Sequence, residues 1–147
     1  MRARDLTAPF PTVTLDTSVH EAARLLSEQR LPGLIVLDGR GRLLSILPGT
    51  QVLRLAVPAY CMEDPMLTRV VDEAHADRFL RSLADRTVRD ALPEQPRELP
   101  ITDPDATMLE VAALMARTHS PVVAVVEDRQ LLGAVTLQAL MDWAITT

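Results

Sequence analysis

Asp16-Thr-Ser-Val-His-Glu21-Ala-Ala-Arg-Leu-Leu26 and Asp105-Ala-Thr-Met-Leu-Glu110-Val-Ala-Ala-Leu-Met115 are two copies of one pattern. Each opens with Asp, sets Ser18 or Thr107 two residues later, and sets Glu21 or Glu110 three residues after that. A hydroxyl followed at that spacing by Glu predicts a capping box. The hydroxyl accepts from a free N–H of the first turn, and the Glu reaches back to the cap. The apolar residues that follow keep helical spacing: Val19, Ala22, Ala23 and Leu26 in one copy, Met108, Val111, Ala112 and Met115 in the other.

The likeness spreads in both directions. Downstream, Leu31-Pro32-Gly33-Leu34-Ile35-Val36-Leu37 matches Ser120-Pro121-Val122-Val123-Ala124-Val125-Val126. Such short unbroken apolar runs predict strands covered on both faces. A polar turn follows each, at 38–42 and at 127–130, and then a second strand-like run, 43–47 and 131–135. The pairs therefore read as antiparallel hairpins. Each copy closes with a helix, over 50–57 and 137–145. Upstream, 2–6 resembles 87–92 as a short helical lead-in, followed by an extended piece at 12–15 and at 99–102. The unit is lead-in, strand, helix, strand, strand, helix. One unit cannot bury its own sheet; two can cover each other.

Composition agrees with a folded chain. Of 147 residues, 48% are hydrophobic and 24% charged, too apolar for a disordered segment. The net charge of −5 argues against a nucleic-acid binder. No apolar run approaches the roughly 20 residues that span a bilayer, so no membrane insertion is expected. The longest, 55–62, is broken by Pro58. No apolar stretch follows Arg2 and Arg4, so no secretory signal is read. The single cysteine, Cys61, excludes an intrachain disulfide and a Cys-only zinc site, and its expected role is packing. A cytoplasmic protein is expected. Every basic residue is arginine and asparagine is absent, which points to a GC-rich, bacterial genome.

The β-α-β-β-α unit, with its Asp-led first helix, a proline before the second strand and Gly133 in the third strand, resembles the CBS domain, named after cystathionine β-synthase. The resemblance implies an α/β (α+β) fold: two CBS repeats packed with pseudo-two-fold symmetry as a stand-alone pair, a Bateman module. The expected boundaries are repeat 1 over 1–57, a helical insertion over 58–86 and repeat 2 over 87–147. In the insertion, Asp64-Pro65 reads as a helix start. Leu67, Val70, Val71, Ala74, Phe79, Leu80 and Leu83 read as an apolar stripe of a connecting helix, or of one that docks a partner.

The resemblance also implies a ligand cleft between the repeats that takes AMP, ADP, ATP or S-adenosylmethionine. The expected lining is Thr12, Val13, Pro32, Gly33 and Gln51 from the first repeat, and His119, Ser120, Pro121, Val122, Gly133, Thr136 and Ala139 from the second. The family motif places glycine, then Thr or Ser, then an Asp that takes two ribose hydroxyls. Here Gly133 and Thr136 match, but Ala139 stands in the Asp position. In the first repeat Ser45, Pro48 and Gln51 replace all three, with the Gln51 amide a partial substitute. Losing the acid removes hydrogen bonds to a charged group, on the order of 1.5–3 kcal/mol. Thr136 reads as a helix cap in any case.

Two functions follow as expectations. One is a sensor that binds a small adenosine-containing ligand and signals to a partner. The alternative is a dimerisation or protein-interaction module with degenerate nucleotide motifs. No enzyme is expected, since neither a Gly-x-Ser-x-Gly elbow nor a P-loop is present, and the helix-capping acids are explained by structure. His20, His75 and His119 lack metal-ligand spacing. The resemblance implies a homodimer, with Leu140, Met141 and Trp143 as interface material. A separately encoded enzyme or transporter is the expected effector.

Overall fold

The capping chemistry forms in full in one copy and by half in the other. The computed structural model describes residues 1–55, 57, 59–70, 73–92 and 98–146. Thr107 Oγ1 accepts from the Glu110 N–H at 3.2 Å, and the Glu110 carboxylate accepts from the Thr107 N–H at 2.6 Å. Ser18 Oγ accepts from the Glu21 N–H at 3.0 Å, but the Glu21 carboxylate turns outward to Arg24 at 2.7 Å. An arginine one turn on competes for the acid that would close the box. The helices so started are α2 (Val19–Glu28) and α7 (Met108–Thr118).

Each repeat carries a three-stranded sheet of the same design. In the first, β1 (Thr12–Thr14) lies parallel to the central β2 (Gly33–Leu37), which pairs antiparallel with β3 (Leu43–Pro48). In the second, β4 (Ile101–Thr102), β5 (Val122–Glu127) and β6 (Gln130–Thr136) do the same. Gly33 pairs with Pro48 as Val122 pairs with Thr136, and a register shift follows Val36 in one hairpin and Val125 in the other. The helices α3 (Gly49–Arg54) and α8 (Leu137–Thr146) leave the hairpins in the same way. The Gly49 N–H donates to the Pro32 carbonyl at 3.1 Å, and the Leu137 N–H to the Pro121 carbonyl at 2.8 Å.

The unbroken strands are covered on both faces, as their runs predict. Leu34, Val36 and Leu47 pack under α2 in the first repeat; Val123, Val125 and Val135 pack under α7 in the second. The alternate residues Ile35, Ile46, Val122, Ala124 and Ala134 meet between the two sheets. Alternation on a pleated strand assigns one face to the repeat's own helices and the other to its twin.

The lead-in helices are exchanged. The first, α1 (Ala3–Leu6), lies on the second repeat: the Ala3 N–H donates to Ala106 and the Arg4 N–H to Pro104. The sixth, α6 (Val88–Ala91), lies on the first, with the Val88 N–H donating to Thr17 and the Arg89 N–H to Leu15. Ala3 belongs to the core of repeat 2, and Val88 and Ala91 to that of repeat 1. An Asp closes each: Asp5 accepts from the Arg2 N–H at 2.8 Å and Asp90 from the Thr87 N–H at 3.1 Å. Arg4 and Asp105 form an ion pair across the first of these contacts.

The connection differs from the single amphipathic helix the stripe suggests. It is a series of short pieces: α4 (Ala59–Glu63), a 3-10 turn over Pro65–Arg69, α5 (Glu73–Arg81) and a 3-10 turn over Ser82–Asp85. Asp64 caps the first turn by accepting from the Met66 N–H at 3.1 Å, and a new start there interrupts any earlier helix. Of the stripe, Leu83 packs on the first repeat's core, while Val70 and Ala74 are exposed. Val71 lies outside the described residues, as do the side chains of His75, Phe79 and Leu80. Cys61 is buried, as packing requires.

Candidate functional site

A cleft of about 940 Å³ opens between the repeats, within the size range of small-molecule sites. One wall is the end of β3 and the first turn of α3, with Ser45, Pro48, Thr50 and Gln51. The other is the end of α7 and the approach to β4 and β5, with Glu98, Leu99, Pro100, Arg117, Thr118, His119 and Ser120. Both walls are needed, so a molecule held there touches both repeats.

Local structure explains the second wall. Helix α7 stops at His119, whose left-handed backbone (φ 53°) lets its N–H return to the Met115 carbonyl. Arg30, the matching residue of the first repeat, has φ 52°. Thr118 Oγ1 donates to the Leu114 carbonyl at 2.6 Å, and Ser120 Oγ to the Val122 carbonyl at 2.7 Å. Those hydroxyl protons are committed to the backbone, and each oxygen keeps acceptor capacity. The Gln51 and His119 side chains carry no hydrogen bond among the described residues. Arg117 Nε donates to both oxygens of Glu98, at 2.6 and 3.1 Å. That hydrogen bond, and then the charge of Glu98, holds the Arg117 guanidinium above the ordinary arginine value.

Of the expected lining, Gln51, His119 and Ser120 come together in this cleft. The others sit elsewhere. Val13 belongs to the first repeat's core, and Thr12 beside it is exposed. Pro32 is exposed and Gly33 buried, where a Cβ would meet the Leu47 carbonyl at 2.9 Å. Val122 is sealed between the sheets. Thr136 Oγ1 accepts from the Ala139 N–H at 3.1 Å, the cap its position predicts. Gly133 faces the chain itself: Ala8 and Ala134 exchange two hydrogen bonds of 3.0 Å across it. Sequence reasoning did not place Glu98, Thr50, Arg117 or Thr118 in the cleft. For Arg117 the available signal was the repeat comparison, because Glu28 occupies its position in the first copy; the match of Glu98 to Pro9 emerges only from the strand register.

A second concavity, about 560 Å³, lies outside the second repeat between α7 and α8. Its lining is mostly apolar, with Ala112, Met115, Pro121, Leu137, Met141 and Ala144, and His119 and Ser120 border it as well as the cleft. Leu109 (79% exposed), Leu137 (43%), Met141 (55%) and Ile145 (83%) extend that face into solvent. Leu140 is instead in the core and Trp143 packs partly buried against it, since helical spacing turns both inward. Where α7 shows Leu109, Ala113 and Ala116, α2 shows His20, Arg24 and Ser27. Among the described residues no cluster of His, Cys, Asp or Glu could hold a metal ion, and no helix is long and apolar enough to cross a membrane.

Two β-α-β-β-α repeats, each sheet covering the other, with a ligand-sized cleft between them, define a tandem domain pair. The CBS domain family model matches residues 3–57 and 96–145, and the chain belongs to that family. A CBS domain-containing protein of unknown function from Kribbella flavida is 47% identical over 99% of both chains, with a TM-score of 0.80. CBSX2, a CBS-pair protein of Arabidopsis thaliana, solved in complex with AMP, is 20% identical over 99% of this chain and 96% of its own, with a TM-score of 0.69. The CBS domain pair of MJ0100, solved with 5-methylthioadenosine and S-adenosyl-L-methionine, is 18% identical over 99% and 97%, with a TM-score of 0.71. No curated protein sequence matches the chain.

Proposed function

We propose that this chain is a regulatory module that binds an adenosine-containing ligand in the cleft between its repeats. The observation that carries the reading is the cleft itself: it is ligand-sized, draws both walls from different repeats, and gathers Thr50, Gln51, Arg117 and His119. Family pairs solved with AMP or with S-adenosyl-L-methionine support the ligand class. A ligand touching both walls favours one relative setting of the repeats, and it signals only by its difference in affinity between settings. Gln51 stands where the family acid would hold ribose, so affinity is expected to be modest. Thermal unfolding with AMP, ADP, ATP and S-adenosylmethionine tests the reading. A ligand at about 100 times its Kd adds roughly 2.7 kcal/mol, a shift of several degrees. An unchanged unfolding curve across the panel refutes it and leaves the interaction role.

A second observation bears on how the signal is read. The α7–α8 face is apolar and exposed on both helices, while in its first-repeat counterpart the α2 side is polar, with His20, Arg24 and Ser27 beside the exposed Leu53. The reading it favours is a homodimer in which two α7–α8 faces meet about a two-fold axis, since a face without charge is complementary to itself. A separately encoded enzyme or transporter then senses the geometry of the pair.

A further inference from the structure

We infer that Arg117 is the anion-binding residue of the cleft and that Glu98 is its resident counter-ion, which an anionic ligand group displaces or must share. The inference rests on the ligand-binding reading above and adds the charge logic of the site. Among the described lining residues, Arg117 is the one permanent cation and Glu98 the one carboxylate. The pair is made through Nε alone, at 2.6 and 3.1 Å. A guanidinium has five N–H donors in a planar fork, so the four on the two Nη atoms carry no bond from the described residues. That fork suits a phosphate or carboxylate. Arg117 also stands in the last turn of α7, where the helix carbonyls favour a cation and steady it without a ligand.

The pair is a property of this cleft and not of the repeat. In the first copy the equivalent positions hold Pro9 and Glu28, which can make no such contact. Glu98 has two opposing effects. It orients the guanidinium, and it repels any anion that approaches the same cation. The last turn of α7 favours the Arg117 charge with or without Glu98, so repulsion is the larger effect and Glu98 weakens anion binding.

The test is calorimetric titration of the full chain, and of Glu98→Gln and Arg117→Gln, with AMP and with adenosine as probes. Both side chains are exposed, and matching unfolding temperatures confirm that the variants fold. The expected result is that Glu98→Gln tightens AMP about two- to fivefold, the range of an exposed ion pair, and leaves adenosine unchanged. Arg117→Gln weakens AMP towards the affinity of adenosine. If Glu98→Gln weakens AMP, leaves it unchanged, or alters AMP and adenosine alike, the counter-ion role is wrong while the binding reading stands. If none of the three proteins binds AMP, both fail.

Discussion

The carbonyl oxygen of Ala8 stands where a side chain on residue 133 would have to begin, and Gly133 is what lets it stand there. The approach joins the segment after α1 to the edge of β6 through the Ala8–Ala134 bridge. It is one of the contacts that hold the amino-terminal lead-in on the second repeat. The glycine that reads, from the family motif, as an opening for a ligand here accommodates the protein's own backbone. Gly133 also has φ 155°, which side chains disfavour.

Gly133→Ala is therefore expected to destabilise the chain by about 1–3 kcal/mol, the cost of forcing atoms into a filled site. Urea unfolding measures the loss. Hydrogen exchange should localise it to the Ala8 and Ala134 amides. A variant with unchanged stability and protection would show that the approach does not matter.

Acid should weaken the β2–β3 hairpin. The Asp38 carboxylate accepts from the Arg40 and Arg42 N–H groups at 2.8 and 2.9 Å and closes the β2–β3 turn. Those bonds, that from Arg42 first, hold it below the usual carboxylate range. A depressed native value contributes stability above the unfolded value of about 3.9, and that stability is lost as pH falls through the native value. The gap in unfolding temperature between wild type and Asp38→Ala should be full at pH 7 and shrink below about pH 4. A gap independent of pH would contradict the assignment.

The repeat was readable because its signals are local. Caps at Ser18 and Thr107, and the runs at 33–37 and 122–126, state a helix and a buried strand without knowledge of the rest. Where an exposed neighbour intervened the reading failed, as at Glu21, which Arg24 claims. The exchange of α1 and α6 between repeats was not readable. Ala3 and Val88 look the same in sequence whichever core they enter. The cleft was half readable: Gln51 occupies a motif position and His119 and Ser120 lead into the second strand of their repeat, whereas Arg117 and Glu98 meet only through the fold.

The two outer faces predict how copies associate. Met141→Glu places a charge in the α7–α8 face and is expected to weaken a dimer by at least about tenfold. Leu53→Glu, at the matching position of the first repeat, is expected to leave it intact. Sedimentation velocity over a concentration series reads both. A monomeric wild-type protein, or equal loss in the two variants, would contradict pairing through the second repeat.

The central claim is that the inter-repeat cleft is the ligand site. Amide spectra of isotope-labelled protein titrated with AMP test it most directly. The account predicts progressive shifts at Thr50, Gln51 and Thr118, which line the cleft alone, with Met141 and Ala144 in the outer groove unmoved. Shifts confined to the outer groove, or none at saturating ligand, would contradict it.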